Sequence, residues 1–212
     1  MDPKKTYYKH LADTIIKNLD KRQMEGYYFE TSAEAIAKAN SFLTKGTTVG
    51  YGGSMSLAES GMLASLQDNP DILLFDRSKA KDEEETTRIY HQALDSDYYF
   101  MSSNAVTAKG ELVNIDGRGN RLAALIYGPK YVILFVGMNK VCSNVEDAIH
   151  RIHNIAAPQN CIRLNCKTPC SVTGVCADCL SPESPCSQTV ITRRSGVPGR
   201  IKVFLIGEEL GY

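Results

Sequence analysis

Three glycines in the stretch "TVGYGGSMSLAES" (residues 48–60) are the first feature that suggests chemistry. Gly50, Gly52 and Gly53 follow a strand-like segment and, with Ser54, precede a helix-like one. Because glycine has no side chain, a ligand can approach the backbone N–H groups at such a junction. The N-terminus of the following helix adds a positive potential that favours negative charge. The stretch is neither G-x-G-x-x-G nor a P-loop, and a tight turn without a ligand is the alternative. We predict that it contacts an anionic ligand.

A carboxylate follows this loop at Glu59, which is the one candidate here for a catalytic acid or base. Ser56 and Glu59, however, have the S-x-x-E spacing of a capping box, in which the glutamate bonds the backbone at the start of a helix. The spacing favours this capping role over catalysis.

A second polar cluster begins just after the strand-like segment "DYYFM" and runs through "NIDGRGNR". Its members are Ser103, Asn104, Thr107, Asn114, Asp116, Gly117, Asn120 and Arg121. Asn and Asp are common in turns because they bond their own backbone, which is the alternative interpretation. A mixture of amides, a carboxylate and a guanidinium suits an oxygen-rich ligand, and we predict that Arg121 clamps a carboxylate or phosphate through two parallel hydrogen bonds.

The cysteines form a third candidate site. All 7 lie after position 141, and Cys170, Cys176, Cys179 and Cys186 are spaced C-x5-C-x2-C-x6-C. An odd total argues against a secreted disulfide scaffold, and a C-x-x-C pair can close on a tetrahedral metal. Zinc and an iron–sulfur cluster are both open as cofactors, and reduced cysteines that simply pack a loop are the alternative.

The rest of the chain must position these residues. Apolar periodicity predicts a helix over Thr6–Met24, and the run "DILLF" (71–75) predicts a strand covered on both faces. A helix is expected over residues 57–67, and "YVILFVG" (131–137) is the strongest strand.

Strands and helices alternate through the first 155 residues, which predicts an open, mostly parallel α/β sheet with helices on both faces. We expect one domain over residues 1–212, with an N-terminal helix at 1–30 and a Cys-rich loop at 158–188.

Composition excludes several classes of partner. The 24 basic and 24 acidic residues give no net field that would attract nucleic acid, and no apolar run approaches a membrane helix. The start of the chain lacks the apolar core of a secretion signal, so we predict a cytoplasmic protein with neither nucleic acid nor membrane as partner. The oligomeric state stays open, with a homo-oligomer as one alternative.

Four stretches together identify a family resemblance: "TVGYGGSMSLAESG", "SSNAVTAKGELVNIDGRGNRLAALIYGPKYVILFVGMNKV", "KTPCSVTGVCADCLSPESPC" and the ending "GEELGY". They resemble the LUD domain family of lactate utilisation protein C-like proteins, over nearly the whole chain. The match is to free-standing bacterial members with a Cys-rich C-terminal segment. The resemblance implies a fold similar to ribose-5-phosphate isomerases and CoA transferases.

The resemblance also implies a function. It suggests an accessory or ligand-binding subunit in the oxidation of L-lactate or a related hydroxy acid, with an iron–sulfur oxidoreductase subunit as partner and a small anionic metabolite at the Gly-rich loops. One alternative is a stand-alone isomerase or acyl/CoA transferase, which needs Glu59 or another acid in the site. The other alternative is an interaction module that binds zinc or an iron–sulfur cluster. Whether the chain catalyses a reaction, and on which substrate, is left open.

Overall fold

The strand with the strongest sequence signal lies inside the main sheet and is covered on both faces. The computed structural model describes residues 2–212 and places a strand at Tyr131–Gly137. Val132 and Leu134 pack into one apolar cluster, whereas Ile133 and Phe135 pack into a second cluster on the opposite face. A strand buried on both faces needs a continuous apolar run, which is what this segment has.

Six parallel strands form the main sheet. They are β1 (Glu25–Phe29), β2 (Thr48–Tyr51), β3 (Leu73–Leu74), β4 (Tyr98–Met101), β7 (Tyr131–Gly137) and β10 (Ile201–Ile206). Their order is β1-β10-β7-β4-β2-β3, and each neighbouring pair runs parallel.

Helices cover both faces of this sheet. One face carries α1 (Pro3–Lys21), α5 (Glu83–Leu94) and α6 (Asn120–Ile126), and the other carries α2 (Ser32–Asn40), α3 (Met55–Glu59) and α4 (Met62–Gln67). The predicted fold class, an open and mostly parallel α/β sheet with helices on both faces, is confirmed.

A second sheet of four short strands was not predicted. It contains β5 (Ala105–Thr107), β6 (Leu112–Asp116), β8 (Val141–Cys142) and β9 (Gln188–Thr192), in the order β8-β5-β6-β9. β5 and β6 form an antiparallel pair, β6 and β9 are also antiparallel, and β5 and β8 are parallel. The helix α7 (Val145–Arg151) packs against this sheet through Ala148.

Several predicted boundaries were wrong in the first 75 residues. The first helix begins at Pro3, capped by Asp2, and ends at Lys21, so residues 1–30 also contain β1. The helix expected over 57–67 is two helices, because Gly61 adopts a left-handed conformation (φ 83°) between them. The run at 71–75 contributes only the edge strand β3, where Leu73 is exposed rather than covered on both faces.

The segment expected to be an irregular loop over 158–188 is partly helical. A π-helical turn at Ile152–Ala156 continues α7 into α8 (Ala157–Arg163), and α9 (Pro169–Thr173) follows. Pro158 has no N–H to donate, and a π turn just before it is one way for a helix to continue across such a position. None of the helices in residues 2–212 combines the length and the apolar character that a membrane span needs.

Candidate functional site

The carboxyl ends of three neighbouring strands open onto one cavity. β2, β4 and β7 end at Tyr51, Met101 and Gly137, and the residues that follow them line a cavity of about 700 Å³. Open α/β sheets bind ligands at this edge, and the volume is that of a site for a small metabolite or cofactor.

Most of the predicted ligand-binding residues line this cavity. They are Gly53, Ser54, Ser103, Asn104, Asp116, Gly117, Asn120 and Arg121. Gly50, Gly52, Thr107 and Asn114 are not in its lining. The glycine loop and the polar cluster therefore face a shared hollow, while the ligand-binding roles themselves stay predictions.

The three glycines of the first loop make room for a helix and two arginines. A Cβ atom on Gly50 would lie 2.7 Å from the Cβ of Ala93 in α5. On Gly52 it would lie 3.1 Å from Cγ of Arg121, and on Gly53 it would lie 2.7 Å from Nη2 of Arg77. The three positions therefore require glycine because other protein groups pack against the backbone there, and not only to leave room for a ligand.

Arg121 binds the protein with all its hydrogen-bond donors. Its Nε donates to Asp116 at 3.0 Å, and its other four bonds, of 2.8 to 3.1 Å, are donated by Nη1 and Nη2. The remaining acceptors are Ser102 O, Asn114 Oδ1, Asn104 Oδ1 and Ile115 O. A guanidinium has five N–H donors, so none is left for the predicted bidentate clamp on a ligand. Arg121 instead holds the two loops of the polar cluster together.

Two predicted residues serve the protein interior. Asn114 is fully buried and donates from Nδ2 to Ser103 Oγ at 3.1 Å. Thr107 is also fully buried, and its hydroxyl donates to the carboxylate of Glu111 and accepts the backbone N–H of Glu111. The contacts of Thr107 are local, whereas those of Asn114 cross from β6 to the loop after β4, so Asn114 serves to join two segments rather than to bond its own turn.

Glu59 has a backbone partner far along the chain. The N-cap of α3 is Ser54, which accepts from Leu57 N, so the predicted capping box of Ser56 and Glu59 was wrong. The Glu59 carboxylate accepts the backbone N–H of Gly211 at 2.5 Å, and Glu59 is not in the lining of the cavity. The geometry gives no support to a catalytic role for it.

Arg77 is a cavity residue that the sequence analysis missed. Its guanidinium lies over the rings of Tyr51 and Tyr90, with 5.5 and 5.7 Å between Cζ and the ring centroids. Within residues 2–212, its side chain forms neither an ion pair nor a hydrogen bond. Cation–π contact with the two rings helps to hold the guanidinium in place, while its N–H groups stay available to an anion.

Lys140 is the second missed residue. It ends a 3₁₀ turn (Met138–Lys140) directly after β7, and it lines the cavity although only 4% of its surface is exposed. Burial, together with the nearby guanidiniums of Arg151 and Arg121, lowers the pKa of Lys140 to about 7. At neutral pH a substantial fraction of this amine is therefore uncharged.

The Cys-rich segment forms one wall of the cavity. Cys166, Pro182, Glu183, Ser184 and Pro185 all belong to the lining. A Cβ on Gly117 would lie 3.1 Å from Cα of Pro185, so the segment packs directly on the loop of the polar cluster. The backbone of this segment therefore closes one side of the cavity, and its polar side chains Glu183 and Ser184 line it.

The cysteines do not assemble a metal-binding set of donors. Within residues 2–212, no three His, Cys, Asp or Glu side chains are placed so that they could share a metal ion. Cys176 lies 3.5 Å from Nδ1 of His153, and Cys170 lies 3.4 Å from the hydroxyl of Thr168. This arrangement gives no support to zinc or an iron–sulfur cluster at Cys170, Cys176, Cys179 and Cys186, because such centres need three or four donors around one point.

Fold and cavity together define an α/β protein with a polar site at the carboxyl edge of a parallel sheet. The sequence model of the LUD domain matches residues 12–206, and the chain therefore belongs to the LUD domain family. The predicted family is confirmed.

One solved structure supports the same fold. The chain is similar to the crystal structure of a DUF162 family protein from Deinococcus radiodurans, with a TM-score of 0.51 and 15% identity, over 96% of this chain and 98% of that chain. At this identity the similarity shows the fold alone. No curated protein matches the chain.

Proposed function

We propose that this LUD-domain protein binds a small anionic metabolite, with a carboxylate or phosphate group, in the cavity at the carboxyl edge of the main sheet. The observation that carries the proposal is the presence in one cavity of two guanidiniums, Arg77 and Arg163, that have no acidic partner within residues 2–212.

The charges around the cavity support an anionic ligand. Five basic residues line it, against two acidic ones. Asp116 is neutralised by Arg121, and the basic Arg118 is paired with Glu83 at 2.8 Å. Glu183 is the other acid of the lining, and its carboxylate accepts the backbone N–H of Lys167.

Arg163 adds to this excess of positive charge. Its guanidinium donates to the hydroxyl of Tyr212 at 2.6 Å and to Asn160 Oδ1 at 2.7 Å, both of which are neutral. The lining therefore carries uncompensated positive charge, and an anion that enters it gains charge-assisted hydrogen bonds.

Membership of the LUD domain family supports the choice of metabolite. We infer an accessory or ligand-binding role in the oxidation of L-lactate or a related hydroxy acid, with an iron–sulfur oxidoreductase subunit as the partner that carries electrons. In this proposal the cavity recognises the carboxylate that 2-hydroxy acids and their 2-oxo products share.

Calorimetric titration with L-lactate, pyruvate, inorganic phosphate and coenzyme A tests the anion site. We expect saturable binding of at least one carboxylate or phosphate, weakened roughly 10- to 100-fold in Arg77→Met because a charge-assisted hydrogen bond is lost. Arg88→Met is the matched control, because Arg88 is an exposed arginine of α5 outside the cavity lining. Flat titrations for all four compounds would contradict the proposal.

The accessory role needs a separate experiment. Deletion of the gene in its host should abolish growth on L-lactate while growth on glucose continues, and the Arg88→Met gene should restore growth where the Arg77→Met gene restores it poorly. Unchanged growth on L-lactate after deletion would contradict the role in lactate oxidation. It would not bear on the anion site, which the calorimetric titration tests.

A further inference from the structure

Lys140 is a buried lysine without a carboxylate partner. None of the ion pairs formed within residues 2–212 involves it. Its Nζ lies 2.8 Å from Ser56 Oγ and 3.4 Å from Ser102 Oγ. Lys202 has a comparably small exposed fraction of 7%, but its Nζ lies 2.6 Å from the carboxylate of Glu25. The two lysines therefore form a matched pair, one bound to an acid and one bound only to hydroxyls.

The hydrogen bonds around Lys140 suit an uncharged amine. Ser56 Oγ donates to Leu210 O at 3.1 Å, and Ser102 Oγ donates to Ser103 O at 3.2 Å. Because both hydroxyl protons are used in this way, each hydroxyl accepts from Lys140. A neutral amine has two N–H donors for these two acceptors and keeps its lone pair free. An ammonium would have a third N–H without an acceptor from residues 2–212.

The surroundings of Lys140 also oppose its protonation. Arg121 and Arg151 are the nearby cations, and Glu59 is the one nearby carboxylate that acts in the opposite direction. Arg151 donates to Asn139 O and Asn104 O, so its own charge is bonded to backbone carbonyls and is not neutralised by an acid. A desolvated lysine beside other cations is a recognised form of nucleophilic amine.

We propose that Lys140 forms an imine with the carbonyl carbon of a small 2-oxo acid bound in the cavity. The inference rests on the anion site proposed above and names the class of its ligand. The carboxylate of the 2-oxo acid binds the cavity cations, Arg77 among them, and its carbonyl faces Lys140. A 2-oxo acid is the product of oxidation of a 2-hydroxy acid, so the same cavity recognises the product of the proposed pathway.

The step balances without an oxidant or a reductant. The lone pair of Nζ forms a bond to the carbonyl carbon, which gives a carbinolamine. The two protons of the amine leave with the carbonyl oxygen as water, and a carbon–nitrogen double bond remains. A 2-hydroxy acid has no carbonyl at this carbon and cannot react in this way.

Reductive trapping tests the proposal. The folded protein is incubated with pyruvate and sodium cyanoborohydride, digested and mapped by mass spectrometry. We expect the reduced adduct on Lys140 and not on Lys202, and none with L-lactate in place of pyruvate. Lys140→Arg, which keeps a cation but has no nucleophilic amine, should lose this adduct while its circular dichroism spectrum stays that of a folded protein.

Calorimetry with pyruvate on the same samples separates the two proposals. Pyruvate binding without an adduct on Lys140 would overturn the imine and leave the anion site intact. Neither binding nor an adduct would overturn both. An adduct spread evenly over the exposed lysines would also overturn the imine, because it would show only ordinary amine chemistry.

Discussion

Arg121 and Asp116 form a buried ion pair, with 3.0 Å between Nε and the carboxylate and exposed side-chain fractions of 12% and 11%. The pair joins the end of β6 to the start of α6. Two of its other four hydrogen bonds reach the loop after β4, at Ser102 O and Asn104 Oδ1, and the remaining two reach Asn114 and Ile115 in β6, so one side chain fixes both parts of the polar cluster. Arg121 is therefore a positioning residue for the cavity.

Arg121→Met should strongly destabilise the protein. The substitution leaves Asp116 without its cation and removes one donor from each of four other acceptors, and loss of one partner of a buried pair costs roughly 3–5 kcal/mol. Urea denaturation measures the loss. Arg118→Met is the control, because its pair with Glu83 is exposed and should contribute at most about 1 kcal/mol. Equal effects of the two substitutions would show that Arg121 does not organise the loops.

Lys140→Met should change how stability depends on pH. The pKa of Lys140 is lowered from 10.5 to about 7, mainly by burial, so between these values the unfolded chain binds a proton that the folded chain does not. The free energy of unfolding of the wild type should therefore rise with pH through this window by up to about 1.4 kcal/mol per pH unit relative to Lys140→Met.

Urea denaturation of both proteins at pH 7 and pH 9 checks this expectation. The difference between the two proteins removes the contributions of groups common to both, such as the cysteine thiols. Parallel stability curves would mean that Lys140 titrates as an ordinary exposed lysine.

Gly53→Ala should weaken anion binding with little effect on stability, whereas Gly50→Ala should mainly lower stability. On Gly53, the added Cβ meets only the end of the Arg77 side chain, at 2.7 Å, which can move. We expect weaker anion binding with little change in stability. On Gly50, the added Cβ meets Cβ of Ala93 at 2.7 Å and its Cα at 3.2 Å, so α5 must shift, at a cost of roughly 1–3 kcal/mol.

The two readouts are calorimetric affinity for the anion and the urea midpoint. An unchanged affinity in Gly53→Ala would argue that Arg77 does not contact the ligand. An unchanged midpoint in Gly50→Ala would argue that the packing between β2 and α5 is looser than this structure shows.

The sequence predicted the part of the fold that is buried on both faces of the sheet. β7 is a continuous apolar run, and this local signal agrees with its central place in the sheet. β1, with the sequence "EGYYF", was missed because all its residues are only partly buried and show no alternation of apolar and polar types. The burial of "DILLF" was overestimated. An apolar run predicts a strand, but it does not tell whether that strand is central in the sheet or at its edge.

The location of the site followed from one rule, which also covers two basic residues of the cavity, Arg77 and Lys140, that were not predicted. The rule that ligands meet at the carboxyl ends of parallel strands brought Ser54 and Asn104 to the same cavity. Arg77 follows β3 and Lys140 follows β7 at the same edge, so the rule could have found both. That the donors of Arg121 are all bonded to the protein could not be predicted, since it depends on five acceptors from two separate segments, residues 102–104 and 114–116.

Cys179 should be the most reactive cysteine of the Cys-rich segment. Hydrogen bonds from the side chain and backbone of Ser181 lower the pKa of Cys179, whereas burial raises the pKa of Cys186 and raises that of Cys161 to about 12. Because the thiolate is the reactive form, iodoacetamide at pH 7.5 should label Cys179 first, as measured by peptide mass spectrometry over time. Ser181→Ala should slow this labelling and leave the other cysteines unchanged. A metal centre held by Cys170, Cys176, Cys179 and Cys186 would instead protect all four thiols together until a chelator is added, which would contradict the arrangement of free thiols described here.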